Sequence, residues 1–168
     1  VQGQGSTFCF ELTLKLPDTD HTPPYQLVEL SQHRFLVVDD NDDARTALVE
    51  DFNMLGLNAT GAAKATESLQ ALEQAAVDNA PYDVCVLDWR MPEIDGLELA
   101  KRIQQLNLSP QPRLLLASAY GAHLPTQNLV DAGFCGVIAK PVALMHLREQ
   151  LVNALQSPTD QAPPSDHA

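Results

Sequence analysis

The sequence is poor in basic side chains, in cysteines and in long apolar runs, and each shortage removes a class of function. Lys and Arg number 10 against 22 Asp and Glu, a formal net charge of −12. Binding to DNA, RNA or an anionic lipid surface calls for clustered cations, so neither a nucleic-acid partner nor direct membrane contact is expected. The acid balance instead suits a metal ion or a basic partner surface. The 3 cysteines, Cys9, Cys85 and Cys135, are odd in number and show no CxxC spacing. Two fall in or beside core strands, and the expectation is buried thiols in a reducing, cytoplasmic compartment. No uncharged apolar stretch approaches the ~20 residues that span a bilayer, and the first residues do not read as a signal peptide. The chain opens on Val1 rather than Met. It is expected to be a piece of a longer protein.

What the sequence does hold is a repeated design. Four short apolar runs each end in a polar residue: Phe35-Leu36-Val37-Val38 in Asp39-Asp40, Val84-Cys85-Val86-Leu87 in Asp88, Leu114-Leu115-Leu116-Ala117 in Ser118, and Val137-Ile138-Ala139 in Lys140. Short apolar runs alternating with helical patterns argue for a buried parallel sheet whose strands all present their C-terminal ends on one edge. Acids, hydroxyl and lysine then meet on that edge, where open α/β sheets bind ligands.

The folded unit is placed at 34–156, a length that can bury a stable interior. Strands are predicted near 35–38, 57–61, 83–87, 113–117 and 135–139, with helices over 42–55, 64–79, 95–107, 122–132 and 141–156. Leu144, Leu147, Leu151 and Leu155 in the last helix follow the three- and four-residue steps of a helix laid on a sheet. The first helix puts Ala44, Leu48, Phe52 and Leu55 on its apolar face, with Asp51 at the margin of that arc. Gly56 and Gly133 are expected to stop helices. Right-handed crossovers make the whole a flavodoxin-like, doubly wound (βα)5 parallel sheet in the order 2-1-3-4-5, which sets the ends of the first and third strands side by side. Outside this unit, residues 1–16 alternate Phe8, Phe10, Leu12 and Leu14 behind a Gly-rich start and read as a half-buried strand. Residues 17–33, with Pro17, Pro23 and Pro24, read as a linker, and 157–168 as a disordered tail.

Three carboxylates crowded together repel one another unless a cation is present. Mg²⁺ resolves the conflict, being a hard ion that takes oxygen ligands and suits one or two carboxylates plus a phosphoryl oxygen. Asp88 is the best nucleophile, able to attack phosphorus and become an aspartyl phosphate. Lys140 as a point charge and the Ser118 hydroxyl would neutralise the remaining phosphoryl oxygens. Taken singly these features are ordinary: an Asp pair after a strand caps helices, Ser118 turns a chain, Lys140-Pro141 ends a strand. Together, at the ends of four strands in the right order, they point to one site.

Those residues resemble the receiver domain of response regulators in two-component signalling, over about 34–156. The matching motifs are Val37-Val38-Asp39-Asp40-Asn41, Leu87-Asp88-Trp89-Arg90-Met91-Pro92-Glu93-Ile94-Asp95-Gly96, Ala117-Ser118-Ala119 and Ala139-Lys140-Pro141. The resemblance implies Asp88 as phosphoacceptor, with Asp39, Asp40 and the Arg90 main-chain carbonyl holding Mg²⁺. It also implies a switch role for Ser118, a phosphate contact from Lys140 and a cis Lys140-Pro141 bond. One departure stands out: Val137 occupies the position, three before the lysine, where such domains usually carry an aromatic switch residue. Tyr120 and Phe134 are the nearby aromatic candidates to replace it. Arg90 and Tyr120, each two residues past a site residue, could shield an acyl phosphate from water.

Gly3-Gln4-Gly5-Ser6-Thr7-Phe8 resembles the final glycine box and strand of a histidine-kinase ATP-binding domain, so the parent is expected to be a hybrid sensor histidine kinase. The implied partners are the kinase's phosphotransfer histidine and a histidine phosphotransfer protein, because none of the chain's five histidines reads as a phosphodonor. The fragment would catalyse at most its own aspartyl phosphorylation. The rival from another class is an interaction module on the same fold that works without phosphorylation. A flavin-binding reading is disfavoured because Asp39 and Asp40 would repel a phosphate after the first strand. A phosphatase reading lacks its Asp-x-Asp loop, since Arg90 holds the second position.

Overall fold

The computed structural model describes residues 30–119 and 126–156. The expectations for the N-terminal strand, most of the linker, Tyr120, the start of the fourth helix and the tail lie outside the described residues. Five strands, β1 (Phe35–Val38), β2 (Ala59–Ala62), β3 (Val84–Asp88), β4 (Arg113–Ala119) and β5 (Phe134–Lys140), alternate with α1 (Asp42–Met54), α2 (Ala65–Val77), α3 (Gly96–Gln105), α4 (Thr126–Asp131) and α5 (Leu144–Gln156). The strands form one sheet in the order β2-β1-β3-β4-β5, and all four pairings are parallel. This is the doubly wound architecture the strand and helix pattern predicts.

Alternation along each strand splits the interior into two layers. Leu36, Val38, Cys85, Leu87, Leu114 and Leu116 point to the face covered by α2 and α3. Phe35, Val37, Val84, Val86, Leu115 and Ala117 point to the face covered by α1 and α5. Both faces are dry, which is why β1 and β3 read as unbroken apolar runs rather than as polar alternations. On the second face the rings of Phe35 and Phe52 meet at 5.0 Å between centroids, tilted by 43°. Asp51 sits at the margin of the α1 face, half-buried. Desolvation, and then the charge of Glu50, push its carboxyl upward.

Element ends show where local chemistry overrode the apolar pattern. β2 begins at Ala59 rather than 57 because Leu57 belongs to the stop of α1: Gly56 takes φ of +73°, its N–H donates to Asn53 O, and Leu57 N–H donates to Phe52 O. That is a Schellman stop with an apolar residue tucked behind it. Asn79, at φ of +53°, ends α2 in the same way, with Ala80 N–H on Ala75 O. Gly133 follows α4 at φ of +78°. The Lys140-Pro141 peptide is cis, and α5 starts at Leu144, the first residue of its apolar stripe, rather than at 141. A turn of 3-10 helix at Leu30–Gln32 packs its buried Leu30 against the α1 and α5 layer. The start of β1 is pinned beside it: Arg34 N–H donates to Asp83 Oδ2 at 2.8 Å and its guanidinium lies 4.6 Å over the Tyr82 ring.

Cys85 is buried, and burial pushes its thiol strongly upward, so it stays protonated. Cys135 is exposed, against expectation. The β4–β5 register shifts between Phe134 and Gly136, which leaves Cys135 outside the ladder at an irregularity, and its S–H donates to Leu114 O at 3.2 Å. Among the described residues no helix is long and apolar enough to cross a membrane.

Phe52 is fully buried and Met54, one turn-edge away, is 68% exposed. Phe52→Ala is therefore expected to cost about 3–5 kcal/mol in urea unfolding, whereas Met54→Ala should stay within ~0.5 kcal/mol of the parent.

Candidate functional site

Strand register assembles the site. Val38 pairs with Leu87, so the next residues, Asp39 and Asp88, leave the sheet side by side at the point where strand order reverses. Asp88 pairs with Ala117, and Ala119 with Lys140. All four strand-end groups expected from the sequence come together, and they line one open pocket of about 570 Å³ with Asp40, Asn41, Ala44, Trp89, Arg90 and Ala119. A second depression of about 380 Å³ runs along α5 from Ala143 to Val152. It gathers no comparable acid cluster, so the chemistry is placed at the sheet edge.

One carboxylate oxygen from each of Asp39, Asp40 and Asp88 lies within 4.8 Å of the others. Asp39 is buried at 2% exposure, the Asp88 side chain is 13% exposed, and Asp40 is open to solvent. Lys140 answers the crowding: its Nζ lies 2.5 Å from Asp39 Oδ2 and also bonds Asp88 Oδ1. Burial alone would push this ammonium down, but the hydrogen bonds and charges of Asp39 and Asp88 outweigh it and hold the group above its ordinary value of 10.5. The cluster offers only hard oxygen donors, and its size and charge fit a divalent cation such as Mg²⁺.

The other polar atoms of these acids are held by local backbone. Asp39 Oδ1 accepts from Asn41 N–H at 2.9 Å, Asp39 N–H donates to Ala62 O at 3.2 Å, and Asp39 O accepts from Arg45 Nη1 at 2.8 Å. Asp88 Oδ2 accepts from Arg90 N–H at 2.8 Å. The cap of α1 is Asn41, whose side chain accepts from Ala44 N–H at 3.0 Å. Asp39 and Asp40 are thereby left to face the pocket instead of capping the helix.

Past Asp88 the chain turns back through Glu93, at φ of +71°, to Asp95, which caps α3 by accepting from Glu98 N–H at 2.8 Å. Gly96 N–H donates to Trp89 O at 3.1 Å. A Cβ at Gly96 would stand 2.5 Å from Asp88 O. Sequence reasoning quotes Gly96 in its motif without finding this role, since close approach of two backbones leaves no trace in composition. Arg45 is a second residue it missed, although an Arg in the first turn of a helix, where cations are unfavourable, is a signal.

Ser118 is buried at 4% exposure, and its hydroxyl reaches Ala119 O only at 3.5 Å. That length is at the limit of a hydrogen bond, so among the described residues the hydroxyl has no strong partner. Val137 is partly buried against the α2 and α3 layer. Phe134 does not replace the missing aromatic: it pairs with Leu114 at the far end of β5, whereas Ser118 pairs with Ala139, and it is buried in the core. His33 sits 3.2 Å from Asp83 and His146 3.8 Å from Glu149, both away from the pocket.

Two outcomes follow from this geometry. Gly96→Ala should force β3 and α3 apart and cost more than about 1 kcal/mol in denaturant unfolding, the range of overpacking substitutions. The raised Lys140 value means that its ion pairs contribute fully below pH 10.5 and are lost as pH climbs through the higher folded value. The melting-temperature advantage of the parent over Lys140→Met should then be flat from about pH 7 to 9 and shrink only above the ordinary lysine range.

The family model for the response regulator receiver domain matches residues 35–152. Chemotaxis protein CheY1 of Helicobacter pylori is 30% identical over 122 residues, covering 70% of this chain and 93% of CheY1. Sensor histidine kinase AtsR of Burkholderia thailandensis is 31% identical over 153 residues, covering 86% of this chain and 24% of AtsR. The chain spans less than a third of the longer curated relatives it matches. Among solved structures, the Vibrio cholerae chemotaxis protein CheY4 superposes with a TM-score of 0.63 at 24% identity, over 73% of this chain and 98% of that one. With the 2-1-3-4-5 sheet and the acid pocket at its switch point already in place, the match over 35–152 means that this chain belongs to the response regulator receiver domain family of two-component signalling.

Proposed function

We propose that Asp88 is the phosphoacceptor and that Asp39, Asp40, Asp88 and the Arg90 main-chain carbonyl hold Mg²⁺. The observation that carries this reading is the meeting of three carboxylates and the Lys140 ammonium at the mouth of β1 and β3. Bound Mg²⁺ would supply positive charge for phosphoryl oxygens and relieve the repulsion among the acids. The chain's own groups do the rest. An Asp88 carboxylate oxygen forms a bond to phosphorus as the P–N bond of a phosphohistidine breaks, the electron pair leaving with the imidazole. Backbone contact from Arg90 N–H holds the Asp88 carboxylate in place before attack. Lys140, already bonded to Asp88, is placed to pair with the new phosphoryl group, and the loosely held Ser118 hydroxyl can donate to it.

The donor on this reading is the phosphotransfer histidine of a kinase, and the onward acceptor a histidine phosphotransfer protein. The likeness to sensor histidine kinases supports a hybrid parent. On this reading the domain works in the cytoplasm, with residues 1–16 as the end of the ATP-binding domain, 17–33 as linker, 34–156 as receiver and 157–168 as tail. An interaction module that works without phosphorylation is disfavoured, because it would not need the acids and Lys140 kept intact.

Incubation with Mg²⁺ and acetyl phosphate, followed by intact mass, tests the assignment. The parent chain should gain one phosphoryl group only with Mg²⁺ present, and Asp88→Asn should gain none. A folded parent that stays unmodified with both acetyl phosphate and a kinase would return the site to the interaction-module reading.

A further inference from the structure

Arg45 lies one turn into α1, close to the acid pocket but outside the group of strand-end residues that define it. Its guanidinium bridges two elements: Nη1 donates to the main-chain oxygen of Asp39 at 2.8 Å, and Nη2 pairs with Asp42. The side chain is only 18% exposed, against 83% for Asp42. Its stem lies across β2 at Gly61, where an added Cβ would meet Arg45 Cδ at 3.1 Å and Cγ at 3.2 Å. A side chain at position 61 would require the Arg45 stem to give way by a few tenths of an ångström, so the bare glycine leaves Arg45 its present path to the end of β1.

The contact falls on an informative atom. The Asp39 carbonyl belongs to the peptide that carries Asp40, so fixing that oxygen fixes the peptide plane from which the Asp40 side chain leaves. Asp39 is held through every polar group it has, by Ala62 O, Asn41 N–H, Lys140 and Arg45. Asp40, exposed at the rim, depends on that plane for its direction. A cation in the first turn of a helix opposes the helix dipole, and beside a metal site it repels the metal. Its planar fork, which joins a carbonyl and a carboxylate at once, is a geometry lysine cannot copy.

We infer that Arg45 is a positioning residue for the cation site: seated on Gly61, it locks the Asp39-Asp40 peptide so that both carboxylates converge. This rests on the Mg²⁺ reading of the pocket. Positioning and simple charge predict opposite signs, which makes the inference decidable. If Arg45 acts through geometry, removing it weakens Mg²⁺ binding. If it is merely a nearby positive charge, removing it tightens binding.

The experiment titrates Mg²⁺ alone into the full chain, read by the fluorescence of Trp89, the single tryptophan, which lines the pocket. Arg45→Met, Arg45→Lys and Gly61→Ala are compared with the parent, each with a thermal melt. Loss of outer contacts to metal ligands commonly costs ten- to a hundredfold in affinity. Both Arg45 variants should therefore lose about tenfold or more, with Gly61→Ala weaker in the same direction because it displaces the Arg45 stem. Unchanged affinity in folded Arg45→Lys, or tighter binding in Arg45→Met, overturns the inference, even if the melts fall. Should Arg45→Met not fold, Arg45→Lys and Gly61→Ala decide by the same criterion. Acetyl phosphate labelling of the parent separates the two levels: a parent that neither binds Mg²⁺ nor is labelled defeats the site reading and this inference with it. A parent that does both, beside Arg45 variants with parental affinity, defeats the inference alone.

Discussion

Three carboxylates drawn from the ends of two neighbouring strands sit within 4.8 Å of one another, and their mutual repulsion is the constraint that the surrounding structure answers. Parallel pairing of β1 with β3 leaves them no room to separate, because Val38 and Leu87 are in register and fully buried beneath them. Lys140 crosses from β5 to bond Asp39 and Asp88 together, so a single ammonium ties the first, third and fifth strands at the same edge. Half-buried charges of this kind gain more from one another than exposed pairs do, and removing one partner leaves the other uncompensated.

Holding such a cluster calls for a stiff floor, and the two apolar layers supply it. Every residue of β1 is buried, as are the first four of β3. Above that floor, backbone groups hold the carboxylate oxygens that Lys140 does not: Asn41 N–H on Asp39 Oδ1 and Arg90 N–H on Asp88 Oδ2, with the tight passage of Gly96 against Asp88 O beneath. Backbone donors cost little side-chain entropy to hold in place, so Asp39 and Asp88 are oriented before any ligand arrives. The caps complete the arrangement, since Asn41 and Asp95 satisfy the helix starts and leave Asp39, Asp40 and Asp88 for the pocket.

The far side of the pocket is built more loosely. Ser118 is buried yet barely bonded, and β5 presents Val137 where a ring would be expected. Phe134 is committed to the core at the opposite end of its strand. No aromatic side chain of β5 is therefore level with Ser118.

Strand and helix order, the sheet class and the identity of the strand-end groups were all legible along the chain, because apolar runs of strand length and three- and four-residue helical steps are written directly in the order of residues. Asp39, Asp40, Asp88, Ser118 and Lys140 were legible for the same reason: each ends a run. Legibility stopped where the outcome depended on which backbones touch. Leu57 reads as the start of a strand and serves a helix stop, Cys135 reads as a core thiol and is the exposed residue of a register shift in β5, and neither can be told from neighbours in sequence. Packing in three dimensions is what leaves Gly96 no room for a side chain beneath Asp88 O, gives the α1 cap to Asn41 in place of the acid pair, and carries Arg45 over Gly61 to the Asp39 carbonyl. These are consequences of register and close approach between segments far apart in the chain, and periodicity, which reports only local repetition, carries no record of them.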